Sequence, residues 1–362
     1  MWAQDLLNFA QAVYVADRVS RRAATADRWT RELELAVQVI DAHPWCGRAG
    51  RLARDLAAAL TGDRWLIEFH GGAQPAPETI PGFPGFSDCI EPEIALFSGG
   101  LDSTGYVVER ARIAGPPLVL VANDHPGLQL LQRSIVNGIP GQQRVVQLRQ
   151  FSLQPTGFET TELSNRSRGL LYAATGIYVT AAHAARRLAI PENGFMAINL
   201  PLTASRSGSL STRSTHPWTV YLLNGLIDAV GGDVQVVNPY LDMTKGEVVG
   251  RARDHQATPQ FLAQTISCGD HSANRSRPSA HCGYCFPCLV RRSAMLAALD
   301  SDPTEYTCRL DEASRDPRRG RHLRALRHHL GREITIEDVI GDMPFPDSPT
   351  AQSALPCWSA VD

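Results

Sequence analysis

The sequence predicts an α/β protein built on a parallel sheet, with a small α+β unit before it and a four-cysteine lobe after it. Three observations lead there. From Glu93 onward, short apolar runs alternate with helical patterns, and repeated βα units imply a parallel sheet covered on both faces. One of these runs, "IALFSGGLDSTGY" (94–106), breaks at two adjacent glycines and starts a helix at once. Further on, residues 268–288 gather four cysteines.

Residues 1–88 read as a separate unit. Leu6, Phe9, Ala10, Val13, Tyr14 and Ala16 fall at helical spacing. "ELELAVQVI" (32–40) alternates as a strand does, "RLARDLAAAL" (51–60) is helical, and "DRWLIEFH" (63–70) is a second strand. An antiparallel pair is expected. "GGAQPAPETIPGFPGFSD" (71–88) is a linker or surface loop. In the main unit, 89–300, strands are expected at 94–97, 117–122, 144–148, 194–198 and 234–238. Helices are expected at 102–113, 128–136, 168–189, 217–230 and 244–254. A helical segment (301–343) and a Pro- and Ser-rich flexible tail (344–362) complete the chain.

Composition sets limits on function. With 362 residues, 43% hydrophobic and 20% charged, the chain has the composition of a globular protein with a full core. A formal net charge of −2 gives no broad basic field, so bulk nucleic-acid binding is not expected. No apolar run approaches the ~18 residues that cross a bilayer. The N-terminus lacks a basic start and a cleavage site, so no signal peptide is expected, and a cytoplasmic location without membrane contact is the plain reading. Of the 35 basic residues, Lys245 is the only lysine. Where every other cation is Arg, a lone Lys suggests a need for a compact point charge; a surface position is the alternative.

Adjacent glycines permit backbone angles and close ligand approach that a β-carbon forbids. A helix start presents free N–H groups and the positive end of its dipole, which together bind anions. Ser98, Gly99, Gly100, Leu101, Asp102 and Ser103 therefore form a candidate phosphate-binding loop at the carboxyl edge of the sheet, where ligands of such folds sit. The alternative is an ordinary turn in which Asp102 or Ser103 only caps the helix. Neither the G-x-G-x-x-G nor the G-x-x-x-x-G-K-[ST] pattern is present.

Cys268, Cys282, Cys285 and Cys288 place two consecutive C-x-x-C steps after a Cys fourteen positions upstream. Thiolates so spaced converge on one ion, as in a closed structural Zn²⁺ site. A reducing cytosol disfavours disulfides, and an iron–sulfur cluster is the alternative. His271 and His281 read as outer neighbours or solvated groups. Cys46, Cys89, Cys308 and Cys357 show no comparable pattern.

The S-G-G-L-D-S loop after an apolar strand resembles the pyrophosphate-binding loop of the adenylating ATP pyrophosphatases, the PP-loop superfamily with its adenine nucleotide alpha hydrolase-like fold. With the four cysteines, residues 93–300 resemble the QueC family, the 7-cyano-7-deazaguanine synthases. That family also has an Arg-Asn segment opening a long helix and a Pro-containing stretch with a Lys before a helix. Here they correspond to "ELSNRSRGLLYAATGIYVTAAHAARRL" (162–188) and "VNPYLDMTKGEVVGRA" (237–252). The Arg-Asn pair appears as Arg166-Ser167 or Arg168-Gly169, and the family's S-G-Y-P-D-C region is replaced by "GSLSTRSTHPW" (208–218). The N-terminal extension and altered pocket are similar to QueC-like proteins of bacterial anti-phage systems, such as the Qat system and type IV CBASS.

The resemblance implies an ATP-dependent, AMP- and pyrophosphate-forming carbon–nitrogen ligase acting on a 7-deazaguanine-type small molecule. In that reading the loop holds pyrophosphate, Asp102 positions Mg²⁺ or water, and Lys245 with Arg166 or Arg168 neutralises phosphate charge. The amine would be ammonia, giving a nitrile synthase, or the N-terminus of a protein partner encoded in the same operon. A non-catalytic nucleotide-binding module and a tRNA-thiolating enzyme are the alternatives, the last disfavoured by the balanced charge.

Overall fold

The computed structural model describes residues 1–76, 90–123, 127–152, 162, 166–202, 213–269 and 280–347. The described chain divides into two compact units, each assembled from three segments.

The first unit comprises residues 1–96, 152–190 and 209–237. Helix α1 (Trp2–Val19) buries Leu6, Phe9, Ala10, Val13 and Tyr14, as the helical spacing required. Strand β1 (Glu32–Gln38), helix α2 (Arg48–Thr61) and strand β2 (Arg64–His70) follow. The strand pair is parallel, from Glu32 opposite Arg64 to Gln38 opposite His70. This corrects the expected antiparallel pair. The intervening helix returns the chain to the end where β1 began, which is what a parallel neighbour needs. Trp45 stacks on Phe69 at 4.3 Å, with Phe9 5.9 Å from Trp45. The start of the expected linker is tied down, since Ala73 N–H donates to the Val39 carbonyl at 3.0 Å. Residues 77–88 lie outside the described part.

Strands β3 (Glu93–Leu96), β6 (Arg187–Ala189) and β7 (Gln235–Val237) also belong to this unit, all parallel in the order β3-β6-β7. Helix α5 (Arg168–Ala182) ends at His183, and Ala184 turns the chain at φ 52°. The single helix expected over 168–189 is therefore a helix, a reversal and strand β6. The alanine-rich run carried helical periodicity past the point where the sheet reclaimed the chain. Helix α7 (Pro217–Ala229) is capped by the His216 ring, which accepts the Trp218 N–H at 3.1 Å.

A buried charge network ties this unit together. Arg22 and Arg31 both bind Asp63, and Arg31 also reaches Asp17 at 2.6 Å. The Ser167 hydroxyl donates to Asp17 at 2.7 Å, joining the start of α5 to α1. Burial of charge is tolerated here because each carboxylate has several donors.

The second unit comprises residues 97–151, 191–208 and 238–362. It contains helix α3 (Leu101–Ala111), strand β4 (Leu118–Asn123), helix α4 (Gln129–Asn137) and strand β5 (Val146–Phe151). β4 and β5 are parallel, from Leu118 opposite Val146 to Asn123 opposite Phe151. The expected strand 194–198 is instead a short helix, α6 (Gly194–Ile198). The Asn193 side chain accepts the Met196 N–H at 3.1 Å, a capping contact that starts a helical turn on an apolar sequence of ambiguous period. Helices α8 (Lys245–Asp254), α9 (Pro259–Ala263) and α10 (Phe286–Leu299) follow. Three C-terminal helices complete the unit: α11 (Leu310–Arg315), α12 (Arg321–Leu330) and α13 (Ile336–Asp342). The expected tail is described only to Asp347. Among the described residues, no helix is long and apolar enough to cross a membrane.

Candidate functional site

The glycine turn begins one residue past β3. Gly99 adopts φ +81°, a left-handed conformation that a side chain would strain. A β-carbon on Gly100 would lie 3.1 Å from the Ile266 carbonyl and 3.2 Å from Ser98 Oγ. Gly100 has no such atom, so the loop can pack against the segment that leads to Cys268. A backbone bond from Ile266 N–H to the Gly99 carbonyl, 2.8 Å, holds the two together. Ser98 Oγ accepts the Gly100 N–H and lies 3.1 Å from Ser103 Oγ.

Gly100 is the N-cap of α3, and no side chain caps the helix. Asp102 is thus not the cap that the simpler turn reading required. Its carboxylate instead points into the unit. Lys245 Nζ donates to Asp102 Oδ2 at 2.6 Å, and Asn193 Nδ2 donates to the same oxygen at 2.9 Å. Asn193 Nδ2 also lies 3.3 Å from Glu192 Oε1. Asp102 and Lys245 are both buried, at 5% and 8% exposure, which excludes the surface reading of the lone lysine. A capping box between Thr244 and Glu247 fixes the start of α8 and so places Lys245 in its first turn.

The two carboxyls are driven apart electrostatically. Burial raises Asp102, but Lys245 and hydrogen bonds from Glu192 and Asn193 outweigh it and hold the carboxyl below its ordinary value. Burial, then the Asp102 charge, pushes Glu192 well above the usual carboxylate range. Asp102 Oδ1 is buried with no hydrogen-bond partner. An orphaned carboxylate oxygen beside a second carboxyl is a donor set that suits a hard divalent cation such as Mg²⁺. Sequence reasoning missed Glu192 and Asn193, because "IPENGF" carries no spacing that sets it apart from a loop.

Arg166 and Arg168 belong to the first unit. Arg166 donates to the Thr61 carbonyl at 2.7 Å and its guanidinium lies 4.5 Å over the Trp29 ring. Burial, then Arg22, lowers its affinity for a proton, to a pKa of about 10. Arg168 is exposed at the start of α5, 5.8 Å from the Tyr172 ring. Asn165 and residues 208–212 lie outside the described part.

The four cysteines converge. Sγ of Cys268, Cys282, Cys285 and Cys288 all lie within 4.8 Å of one another, and all four residues are buried. Tetrahedral Zn–S bonds of about 2.3 Å imply sulfur separations near 3.8 Å; Cys282 and Cys288 stand 3.9 Å apart. Backbone N–H groups of Cys282, Gly269 and Cys285 point at Cys268, Cys285 and Cys282 sulfurs, at 3.5, 3.4 and 3.3 Å. Hydrogen bonds from Cys282, Cys285 and Cys288 hold the Cys268 thiol far below its ordinary value, while its bond to Cys268 pushes Cys288 far above. Sulfurs this close cannot all ionise unless a cation neutralises them, so the cluster suits a metal ion. His281 is buried beside it and accepts the Ser267 N–H at 3.1 Å. His271, Cys89 and Cys357 lie outside the described residues; Cys46 is exposed and Cys308 buried. Arg291, fully buried, donates to the Leu262 and Thr265 carbonyls and to the Ser267 hydroxyl, bracing the approach to Cys268.

The fold and site define a mixed α/β protein with parallel sheets, consistent with a Rossmann-like PP-loop domain, and a four-cysteine cluster able to bind metal. Comparison with curated proteins adds short similarities to 7-cyano-7-deazaguanine synthases. The enzyme of Rhizobium etli is 40% identical over 73 residues, 20% of this chain and 27% of the relative. That of Sinorhizobium fredii is 36% identical over 74 residues, 20% of this chain and 28% of the relative. The chain therefore aligns with little more than a quarter of the length of these relatives. No family model matches the chain.

Proposed function

We propose that the chain is an ATP-dependent carbon–nitrogen ligase that adenylates the carboxylate of a 7-deazaguanine-type molecule and transfers the acyl group to an amine. The observation that carries this reading is the uncapped start of α3 behind Gly99-Gly100, with the Asp102–Lys245 pair beside it. Free N–H groups at a helix start suit the phosphates of ATP. The names of the partial relatives support the deazaguanine class.

The substrate carboxylate attacks the α-phosphorus, the bond to the bridging oxygen of pyrophosphate breaks, and an acyl-adenylate remains. The amine then adds to the acyl carbon, AMP leaves, and one proton is released. Lys245 would neutralise charge developing on the phosphates, a preorganised role in a buried setting. Asp102 orients Lys245, and Asn193 holds Asp102. Bound Mg²⁺, held by Asp102 Oδ1 and Glu192, would supply charge neutralisation at the phosphates. A Zn²⁺ ion on the four cysteines would have a structural role, coupling the 268–288 lobe to the loop through Ile266 and Gly99.

The test is carboxylate-dependent release of AMP and pyrophosphate. Release with ammonia as the amine supports a nitrile synthase, in which the amide then loses water. A mass increase on a polypeptide N-terminus, with none on ammonia, supports conjugation to a protein partner, as in the anti-phage reading. Nucleotide binding without AMP under either condition would reject the ligase in favour of a binding module.

A further inference from the structure

Residues 309–332 read "RLDEASRDPRRGRHLRALRHHLGR", with no acidic residue from Pro317 to Arg332. Eight of the chain's 35 basic residues fall in these 24 positions, so a near-neutral total conceals a concentrated positive segment. The structure turns that segment into a surface. Helix α12 buries Leu323, Ala325, Leu326 and His329, and exposes Arg321, Arg324, Arg327 and His328. At about 100° per residue, the exposed four occupy one arc of roughly 120°, centred on Arg324 and opposite the buried side. Arg324 also donates to the Pro317 carbonyl at 2.5 Å, folding the turn that carries exposed Arg318 against the start of the helix.

Three neighbouring arginines are paired, two inside the segment and Arg332 with a carboxylate beyond it. Arg309, Arg319 and Arg332 pair with Asp311, Asp316 and Asp338. Among the described residues, no ion pair joins a carboxylate to Arg321, Arg324 or Arg327, whereas Arg318 shares the charge of Asp316 with Arg319. Three unpaired guanidiniums on one arc of a single helix repel one another, and an anion that bridges them removes that repulsion.

The nature of the anion follows from what else the face offers. The apolar side of α12 is already packed on Phe195, Phe286 and Leu289, so the helix has no apolar stripe to lay into a lipid surface. None of the four residues of the exposed arc is aromatic or aliphatic apart from the His328 ring, and the exposed Leu330 lies off it, whereas protein interfaces are built around such anchors. A phosphate backbone needs only spaced cations, and the guanidinium fork matches its oxygens. We propose that the exposed face of α12, with Arg318 at its entry, binds the phosphodiester backbone of a nucleic acid. This is independent of the ligase reading.

The full chain is titrated into fluorescein-labelled single-stranded RNA, single-stranded DNA and duplex DNA at about 50 mM salt and then at rising salt. Polyglutamate and phosphatidylserine vesicles are the other anionic probes. Wild type should bind at least one nucleic acid with strong salt dependence, and which one identifies the polymer. The variant Arg321→Gln/Arg324→Gln/Arg327→Gln should bind at least ~10-fold more weakly, with the log–log salt slope reduced by about 3. The corresponding triple Arg→Lys variant should recover most of the slope, which separates lost charge from lost fold. Unchanged binding in the Gln variant, no nucleic-acid binding by wild type, or capture of polyglutamate or vesicles in its place would overturn the proposal.

Discussion

Lys245 Nζ stands 2.6 Å from Asp102 Oδ2, though 143 residues separate the two in the chain. Asp102 is the second residue of α3 and Lys245 the first of α8. Two helix starts are thereby joined by one buried ion pair. Such a pair is weak ground for stability, since desolvation offsets most of the attraction. Retaining it makes sense where its charge meets a ligand.

The first prediction separates that role from a structural one. Lys245→Ala leaves Asp102 buried without its cation, and should lower stability by roughly 3–5 kcal/mol as well as activity. Asp102→Asn keeps shape and removes the charge. Both should reduce AMP formation ~100-fold or more. Single-turnover AMP assays on variants shown to be folded by circular dichroism decide it, and near-normal turnover in Lys245→Ala would remove the lysine from the site.

Gly100→Ala tests the loop. The added carbon meets the Ile266 carbonyl at 3.1 Å and Ser98 Oγ at 3.2 Å, so backbone on one side and a loop hydroxyl on the other must give way. ATP binding measured by calorimetry should weaken at least ~10-fold, while the loss of stability stays near the ~1 kcal/mol typical of a single substitution.

Elemental analysis should find about one zinc per chain on the four cysteines. Cys285→Ser should yield metal-free and largely insoluble protein, because binding energy at such sites is folding energy. A brown, iron-rich preparation would assign a cluster instead.

His216 gives a pH prediction. Burial, then the nearby Arg213, lowers its pKa to about 3. A histidine depressed in the folded state takes up its proton first in the unfolded chain. The stability it contributes is present above the unfolded value near 6.5 and is lost as pH falls towards 3. Each pH unit in that window removes up to about 1.4 kcal/mol. His216→Asn, which keeps a capping acceptor for Trp218, should flatten that slope in denaturant titrations between pH 6 and pH 4. An identical slope in the variant would assign the acid sensitivity elsewhere.

Much of the site was legible in the sequence because its signals are local. A glycine pair after an apolar strand and two C-x-x-C steps are short-range patterns with few structural solutions. The helix starts at Leu101, Pro217 and Lys245 were found within a residue for the same reason. Errors arose where local pattern is ambiguous. "GFMAI" is apolar in either period, and the Asn193 cap made it helical. The β1–β2 direction depends on the path of α2 through space, on which alternation is silent.

Reading along the chain supplies the residue types: a glycine pair before a helix start, four thiols at metal-binding spacing, one lysine among arginines, and an arginine-dense segment near the C-terminus. Which of these meet, and which way they face, follows from packing. It buried Lys245 on Asp102, brought Glu192 and Asn193 to the same carboxylate, and engaged Arg166 with Thr61 and Trp29. It also turned the apolar side of α12 inward and its arginines outward. The difference is one of range. Turn geometry and chelate spacing are set by bonds a few residues apart, whereas a buried charge finds its partner only when packing removes water and leaves a distant residue as the one group able to neutralise it.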